Sequence, residues 1–327
     1  MSSETKILAT ASYLPERVVA NEALTQFPAS TLPLIAEKTG ISARRYAADD
    51  ECTSDLGAKA ARQCLERASV SPDEVDAIVL ATSSPDRIQP ATATRVQQLI
   101  GARRAYAFDV NSVCSGAVFA LHVADALVRS GGARRVLVVA SELYSRGHLN
   151  PRDFSTCACL GDGAAAVLVG TDERGHTVVG TRLHTDGSGA DLIQVPAGGT
   201  MLPYARMERP QDAYFTMRGK DVQDFVLTQG TAVVNELLTA HGVDRDDVAF
   251  VVPHQANLGV LQGLAERLAI DFSKFVVTLD RYGNTAAASV LIAFDDLVTS
   301  KRAARGDLVV LVVFGGGLSW AATLIRI

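Results

Sequence analysis

The stretch Asn111-Ser-Val-Cys-Ser-Gly-Ala-Val-Phe-Ala-Leu-His-Val-Ala-Asp125 places a cysteine at the start of a predicted helix that is almost free of polar side chains. A second stretch, Gly283-Asn-Thr-Ala-Ala-Ala-Ser-Val-Leu-Ile-Ala-Phe-Asp295, repeats this pattern later in the chain. At one constant shift of 170 positions, Cys114 in the first stretch falls on Asn284 in the second. A thiol at one helix start and a carboxamide at the equivalent place of a duplicated fold indicate a chemical site rather than a packing arrangement.

A second pair of segments supports the duplication. Residues 72–82 and 245–254 share a charged start followed by an apolar run, and each leads into a predicted helix, Thr92–Ile100 or Leu258–Leu268. Apolar runs of strand length alternate with amphipathic helices, one of them predicted at Asp221–Ala240, which favours an α/β fold with strands buried on both faces. We predict two similar halves, residues 1–172 and 173–327, with the junction in the turn-like segment 170–175. The predicted strands are Ile78–Thr82, Val136–Ala140, Ala164–Val169, Ala249–Val252 and Leu308–Val313.

Composition excludes several classes of protein. The 327 residues are 48% hydrophobic and 20% charged, which is typical of a globular chain large enough for a duplicated core. A net charge of −5 gives no basic surface for nucleic acid or an anionic membrane. No apolar run approaches the roughly 20 residues of a membrane span, and residues 1–6 lack the features of a secretory signal. The five cysteines are an odd number without disulfide spacing, so we expect a cytoplasmic protein.

Cys114 is the first candidate for chemistry. A helix start directs its dipole and free N–H groups at the sulfur, which favours the thiolate and lowers the thiol pKa. The same N–H groups can stabilise an oxyanion on an attached acyl group. The alternative is a structural cysteine that is buried as a small hydrophobic residue, and the repeat argues against it.

His254 is the second candidate because it directly follows a predicted buried strand, where α/β enzymes place their active sites. After the last predicted strand, the segment Phe314–Trp320 contains three consecutive glycines that allow close approach of the backbone to a substrate. We predict no metal site, since Cys157-Ala-Cys159 is a single weak pair, which we expect to pack in a strand instead. The segment Gly161–Gly163 precedes a predicted strand, which excludes a dinucleotide-binding loop.

The motifs NSVCSGA, VPHQAN, YGNTAAAS and FGGGLSW occur in this order, and together they resemble the β-ketoacyl synthase III family of condensing enzymes. The resemblance covers nearly the whole chain and implies a thiolase-like duplicated αβαβα layered fold. The stretches AADDECTSDL, SSPDRIQP and LYSR are most similar to actinobacterial members of the family, which include acetoacetyl-CoA synthases.

The resemblance implies specific roles for five residues. Cys114 would be the nucleophile that accepts an acyl group from a thioester, and its backbone N–H would form an oxyanion hole with that of Gly316. His254 and Asn284 would donate hydrogen bonds to the thioester oxygen of a malonyl-type substrate while carbon dioxide leaves. Asn257 would contact the pantetheine arm.

The chain departs from the family pattern where the adenine and phosphates of CoA usually bind. Leu34 aligns with a tryptophan that stacks on the adenine, and Phe154 aligns with an arginine on its other face. Lys38 replaces an arginine near the phosphates and retains the charge without the bidentate geometry. Arg152 is a candidate to replace the missing arginine.

Three further substitutions affect the acyl group and the carrier. Gln89 aligns with a phenylalanine at the floor of the acyl pocket. Gly259 and Asp224 align with basic residues that bind acyl carrier protein. The resemblance therefore predicts an intact catalytic centre with altered substrate contacts, and leaves open whether CoA or a carrier protein delivers the acyl groups.

The leading hypothesis is a decarboxylative Claisen condensation between an acyl thioester and a malonyl-type thioester. The alternative is transfer of the acyl group from Cys114 to an alcohol, an amine or an unusual carbon nucleophile, with His254 as general base. A third possibility is a non-catalytic partner subunit, although such a subunit would normally lack the cysteine. The resemblance implies a homodimer and no cofactor besides CoA or phosphopantetheine thioester substrates. Biosynthetic thiolases need a second catalytic cysteine, and none follows Cys159.

Overall fold

The computed structural model describes residues 4–327. The strands are β1 Lys6–Tyr13, β2 Arg17–Ala20, β3 Ala43–Tyr46, β4 Ala77–Ala81, β5 Tyr106–Val110, β6 Arg135–Glu142, β7 Gly163–Gly170, β8 His176–Thr185, β9 Ile193–Gln194, β10 Thr216–Met217, β11 Val248–Pro253, β12 Leu308–Gly315 and β13 Ser319–Arg326. The helices are α1 Pro33–Thr39, α2 Thr53–Ala68, α3 Thr92–Ile100, α4 Gly116–Arg129, α5 Phe154–Cys157, α6 Gly219–Ala240, α7 Leu258–Leu268, α8 Leu279–Tyr282 and α9 Ala288–Thr299.

The main sheet has nine strands in the order β11-β12-β13-β8-β1-β7-β6-β4-β5. From its centre outward, each half repeats the same pairing. Strands β1 and β7 are antiparallel, β7 and β6 are antiparallel, and β6 and β4 are parallel. The corresponding pairs β8–β13, β13–β12 and β12–β11 have the same directions. The counterpart of β5 is reduced to one parallel bridge between Val251 and Phe275.

Helices α4 and α9 pack between the two half-sheets and form the central hydrophobic core with them. Helices α2 and α3 cover the outer face of the first half-sheet, and α6 and α7 cover that of the second. In β12, Val309 and Leu311 belong to the central core while Val310 and Val312 belong to the outer one. The strands are apolar on both faces because helices cover both. This arrangement confirms the predicted αβαβα layers.

The duplication extends to individual backbone conformations. Helices α4 and α9 end in the same way at Ser130 and Ser300. The next residues, Gly131 and Lys301, both have positive φ angles, 75° and 55°. The predicted junction between residues 172 and 173 falls in the turn between β7 and β8, while the sheet continues across the two halves through β1 and β8.

The predicted helices Thr92–Ile100 and Leu258–Leu268 are confirmed with these bounds, and α6 begins two residues earlier than predicted. The five predicted strands are also present, with ends that differ by at most two residues. No helix within residues 4–327 is long and apolar enough to cross a membrane.

The prediction that Asn284 starts a helix is wrong, because α9 begins only at Ala288. The backbone of Asn284 instead forms a parallel bridge with Leu160, and Ala286 has a φ of 45°, which a right-handed helix cannot contain. Cys114 itself lies in a single 3₁₀ turn, Val113–Ser115, directly before α4.

The expectation that Cys157 and Cys159 pack in a strand is also wrong. Cys157 ends the short helix α5, and Cys159 lies in the turn that follows. The N-cap Asp153 accepts hydrogen bonds from the N–H of Ser155 and the hydroxyl of Thr156, which favours a helical turn here.

Candidate active site

A cavity of about 280 Å³ brings together Cys114, His254 and Asn284. The two halves contribute different parts: Cys114 precedes α4 in the first half, whereas His254 follows β11 and Asn284 precedes α9 in the second. Cys114 is 8% exposed and His254 is 3% exposed, so the reactive end of the cavity is nearly closed to solvent. The mouth is formed by exposed lining residues, among them Ser155, Met217, Gly219 and Gln223.

The turn that carries Cys114 is tightly packed against the glycine segment after β12. A Cβ atom on Gly315 would lie 2.9 Å from the backbone nitrogen of Cys114 and 2.8 Å from that of Ser115. Only glycine allows this approach, and Gly315 lines the cavity beside Cys114. Val113, directly before the cysteine, has a φ of 46°, which is rare for a β-branched residue.

The sequence singled out Gly316 as the second oxyanion donor, and the structure places this residue next to the cavity. Gly316 lines an adjoining hollow together with Val113, while its neighbour Gly315 lines the cavity itself. The part played by the Gly316 N–H stays a prediction.

The protonation state of Cys114 differs from the sequence expectation. Burial and the nearby carboxylate of Glu142 raise the pKa of the Cys114 thiol to about 12. Its backbone N–H acts in the opposite direction but is outweighed. The sulfur is therefore a neutral thiol at rest, since burial and Glu142 disfavour the thiolate more than this one N–H stabilises it.

His254 is fixed from several sides. Its backbone N–H donates to the Val312 carbonyl at 2.8 Å, and its Nδ1 lies 2.7 Å from the Ser289 hydroxyl. The Phe314 ring packs edge-on against the imidazole, with ring centroids 5.5 Å apart. Burial lowers the pKa of His254 to about 4, against a backbone hydrogen bond to Ala286 that raises it. The imidazole is therefore neutral at pH 7.

Asn284 has a defined amide orientation. Its Oδ1 accepts the backbone N–H of Ala286 at 2.8 Å, which leaves the Nδ2 group as the free end of the side chain. Its own N–H donates to the Cys159 carbonyl at 2.8 Å, and its carbonyl accepts from Gly161 at 2.9 Å. An asparagine held in this way presents hydrogen-bond donors to the cavity and cannot act as a base.

Comparison with known proteins agrees with this geometry. Residues 108–187 match the family model of 3-oxoacyl-[acyl-carrier-protein (ACP)] synthase III, and residues 238–327 match that of its C-terminal part. A β-ketoacyl-[acyl-carrier-protein] synthase III from Rhodospirillum centenum is 42% identical over 326 residues, which cover 98% of each chain. The chain belongs to the 3-oxoacyl-[acyl-carrier-protein] synthase III family. It is therefore a condensing enzyme of the acyltransferase class.

Solved structures support the same assignment. The synthase III from Aquifex aeolicus is 36% identical with a TM-score of 0.90, over 99% of this chain and 100% of the other. The priming β-ketosynthase of the R1128 polyketide pathway is 32% identical with a TM-score of 0.90, over 99% of this chain and 97% of the other. The fold of the synthase III family thus covers nearly the entire chain.

The predicted substrate contacts lie in different places relative to this synthase III cavity. Asn257 lines the cavity and also caps α7, because its Oδ1 accepts the Val260 N–H at 3.0 Å. Leu34 and Phe154 are half-buried and do not belong to the lining, and Phe154 packs edge-on against Phe27 at 5.1 Å. The remaining predicted contacts at this end, Lys38, Arg152, Asp224 and Gly259, are exposed.

Gln89 is not at the floor of this chain's cavity. It lies in the exposed loop between β4 and α3, beside Ile88, which is 79% exposed. Asp86 holds this loop at the surface, since its Oδ1 accepts the Ser54 N–H at 2.9 Å. The buried end of the cavity is lined instead by residues such as Tyr144, Phe215 and Ile193.

Sequence reasoning missed a buried polar network that includes Tyr144, one of these lining residues. The Tyr144 hydroxyl lies 2.8 Å from the Ser83 hydroxyl, which also contacts Glu142 at 2.8 Å. Burial raises the pKa of Glu142 to about 7, against hydrogen bonds from Ser84 and Ser83. Ser83 and Ser84 follow the end of β4 and Glu142 ends β6, and only the parallel pairing of these two strands brings the three residues together.

Within residues 4–327 the structure shows no group of three or more histidine, cysteine, aspartate or glutamate side chains that could hold a metal ion. The five cysteines, all within this range, are free thiols.

Proposed function

We propose that this enzyme acylates Cys114 and then condenses the acyl group with a malonyl-type thioester to give a β-ketoacyl product. The observation that carries the proposal is the amide orientation of Asn284, whose Oδ1 is engaged by Ala286 so that its NH₂ group is left to donate beside His254. Two neutral donors in one buried cavity suit an enolate, which needs hydrogen bonds and no base.

In the first half-reaction, the Cys114 sulfur attacks the carbonyl carbon of an acyl thioester. The bond between that carbon and the leaving sulfur breaks, and the thiol proton of Cys114 ends on the released thiol. Because burial raises the pKa of Cys114 to about 12, the sulfur must lose its proton during attack. The backbone N–H of Cys114 stabilises the developing oxyanion.

In the second half-reaction, a malonyl-type thioester loses carbon dioxide as its carboxylate carbon–carbon bond breaks. The electron pair of that bond moves into an enolate, whose oxygen accepts hydrogen bonds from His254 and Asn284. The enolate carbon then attacks the acyl carbon on Cys114, the bond between that carbon and the cysteine sulfur breaks, and the released thiolate takes up a proton from water to restore the thiol. Each donor contributes on the order of 3 kcal/mol to such a transition state.

We also propose that the chain belongs to the branch that includes acetoacetyl-CoA synthases, with acyl-CoA as donor and CoA or a carrier protein on the extender. The exposed Gly259 and Asp224, where the family uses basic residues for carrier docking, support delivery by CoA. The apolar Leu34 and Phe154 require an adenine contact that differs from the usual one.

Intact-protein mass spectrometry with acetyl-CoA, longer acyl-CoA and acyl-carrier donors tests the proposal. We expect an acyl adduct on the wild type and none on Cys114→Ala, then carbon dioxide release and a β-keto product with a malonyl thioester. Turnover by Cys114→Ala would instead support a non-catalytic role for this residue. Parallel reactions with malonyl-CoA and malonyl-carrier distinguish the two extenders.

A second candidate function is acyl transfer from Cys114 to an alcohol or amine. It is favoured by one observation: His254 lines the same cavity as Cys114, and an imidazole can accept a proton on the ring nitrogen that carries no hydrogen. Loading of an acyl group without carbon dioxide release from any malonyl thioester would support this candidate.

We further propose a homodimer that works in the cytoplasm. Strand β5 lies at one edge of the sheet, and Tyr106 on it is 46% exposed. The exposed Ile88 and Gln89 are in the loop that leads to α3. Light scattering coupled to size exclusion should give twice the chain mass, and a monomer at micromolar concentration would contradict the proposal.

A further inference from the structure

Ser289 is a buried serine in the first turn of α9 that connects His254 to the rest of the second half. It is 1% exposed. Its Oγ lies 2.7 Å from Nδ1 of His254 and 3.3 Å from the backbone nitrogen of Gln255. The Ser289 hydroxyl therefore contacts both the imidazole of His254 and the backbone of Gln255.

The direction of these hydrogen bonds follows from the groups present. A backbone N–H can only donate, so Oγ of Ser289 accepts from Gln255 and retains its own hydrogen for another acceptor. Elsewhere in helices, hydroxyls donate to the carbonyl four residues earlier, as Thr231 does in α6 and Thr299 does at the end of α9 itself. Among residues 4–327, the structure shows no such backbone bond for the Ser289 hydroxyl. Its remaining acceptor is Nδ1 of His254.

The Ala286 carbonyl is the competing acceptor near the imidazole. It favours a protonated ring, and it already accepts the backbone N–H of Ser289 at 3.2 Å. The Phe314 ring packs edge-on against the imidazole and is apolar, so it offers no hydrogen-bond acceptor of its own. The Ser289 hydroxyl, at 2.7 Å, is hydrogen-bonded to Nδ1 and can donate to it, which the Ala286 carbonyl cannot.

We propose that Ser289 is a positioning residue that donates its hydroxyl hydrogen to Nδ1 of His254 and thereby keeps the ring proton on Nε2. In this tautomer His254 presents a donor to the cavity and cannot accept a proton there. The inference rests on the proposed condensation, and it separates that reaction from acyl transfer, which needs the opposite tautomer.

The two half-reactions respond differently to the loss of this hydroxyl. In Ser289→Ala, Nδ1 loses its donor, and the tautomer with hydrogen on Nδ1 becomes populated. We expect decarboxylation of a malonyl thioester to slow by about 10- to 100-fold, approaching the loss of one oxyanion donor. Loading of Cys114 does not use the Nε2 donor and should change by less than about threefold.

The tautomer is measured directly by long-range ¹H–¹⁵N correlation on protein labelled at its six histidines. His254→Asn identifies the signal. At pH 7 we expect hydrogen on Nε2 in the wild type and in Ser289→Thr, which keeps a hydroxyl, and a mixture in Ser289→Ala. Ser300→Ala is the matched control, since its hydroxyl bonds to Leu297 at the far end of the same helix; both readouts should remain unchanged in it.

A wild-type signal with hydrogen on Nδ1 would overturn the inference without any variant. So would a Ser289→Ala protein with the wild-type tautomer, or one that loses loading and decarboxylation equally. If the wild type loaded no acyl group and released no carbon dioxide, the proposed function would fail, yet the tautomer of His254 would still decide the inference. The Ser289→Thr protein and the wild type keep the test valid if Ser289→Ala does not fold.

Discussion

The two halves of the molecule share one backbone pattern but carry different chemistry at equivalent places. In the first half, β4 ends at Ala81, and its Cβ would lie 3.3 Å from a Cβ placed on Gly116. In the second half the aligned position is His254, which opens into the cavity. Position 119, which corresponds to Ser289, holds Phe119. At these two positions the first half has apolar side chains, Ala81 and Phe119, whereas the second half has the polar side chains His254 and Ser289.

This difference shows how a duplicated fold builds a single site. The first half supplies the nucleophile, and the second half supplies the donors for the enolate. Neither half contains both groups, so the cavity must lie between the turn before α4 and the segment that follows β11. The comparison can be tested by removing the contribution of each half separately.

The largest effect is expected from Cys114→Ala, which removes the contribution of the first half. Without the sulfur no acyl-enzyme forms, so the adduct in intact-protein mass spectrometry should disappear and condensation should fall at least about 1000-fold. The thermal unfolding midpoint should stay close to that of the wild type, because alanine fits a small buried site. The matched control is Cys64→Ala, which removes a buried thiol outside the cavity and should leave acyl loading of Cys114 intact.

Removal of the donors from the second half should separate the two half-reactions. In His254→Ala and Asn284→Ala, decarboxylation should fall about 100-fold each, because one donor to the enolate oxygen is lost. Loading of Cys114 should persist and can be followed in the same sample by mass. Equal loss of loading and decarboxylation in Asn284→Ala would show that the second half also takes part in loading, which contradicts the assignment of loading to the first half.

The contrast between the halves also explains what the sequence could predict. The alternation of apolar runs and helices was sufficient for the layers, because strands covered on both faces are apolar on both faces, as Val309 and Val310 are in β12. Cys114, His254 and Asn284 were found through motifs at strand and helix ends. These apolar runs and motifs are local features of the chain, so they can be read from the sequence without any tertiary contact.

The remaining features depend on tertiary contacts that leave no local signal. The start of α9 could not be predicted, because the backbone of Asn284 is taken up by Leu160, which is distant in sequence. The thiol pKa of Cys114 follows from burial and from Glu142, whose position is known only once β6 lies next to β4. Gln89 is exposed in the single chain, and its place at the floor of an acyl pocket stays a prediction.

A smaller effect is expected at the contact where the two halves meet, between the Cys114 turn and Gly315. A methyl group in Gly315→Ala would press on the backbone nitrogens of Cys114 and Ser115 at less than 3 Å. The turn must shift, and loading should slow about 10- to 100-fold with only a modest loss of stability. Gly199→Ala is the control, because a Cβ there meets nothing within 4 Å. Equal loading rates in both variants would mean that the close contact has no role.

The smallest effect is expected from a change of pH, which tests the protonation states of Cys114 and His254. Since burial raises the pKa of Cys114 to about 12, only the small thiolate fraction reacts with iodoacetamide. Glu142, with its pKa raised to about 7, gains its charge between pH 6 and pH 8 and opposes the thiolate, so the alkylation rate at Cys114 should rise by less than tenfold per pH unit there. Above pH 8 it should rise about tenfold per pH unit up to pH 10 without a plateau. His254, with its pKa lowered to about 4, stays neutral over this range and adds no step. A plateau below pH 8 would instead indicate a thiolate paired with an imidazolium, and the first half would then supply an activated nucleophile before any substrate binds.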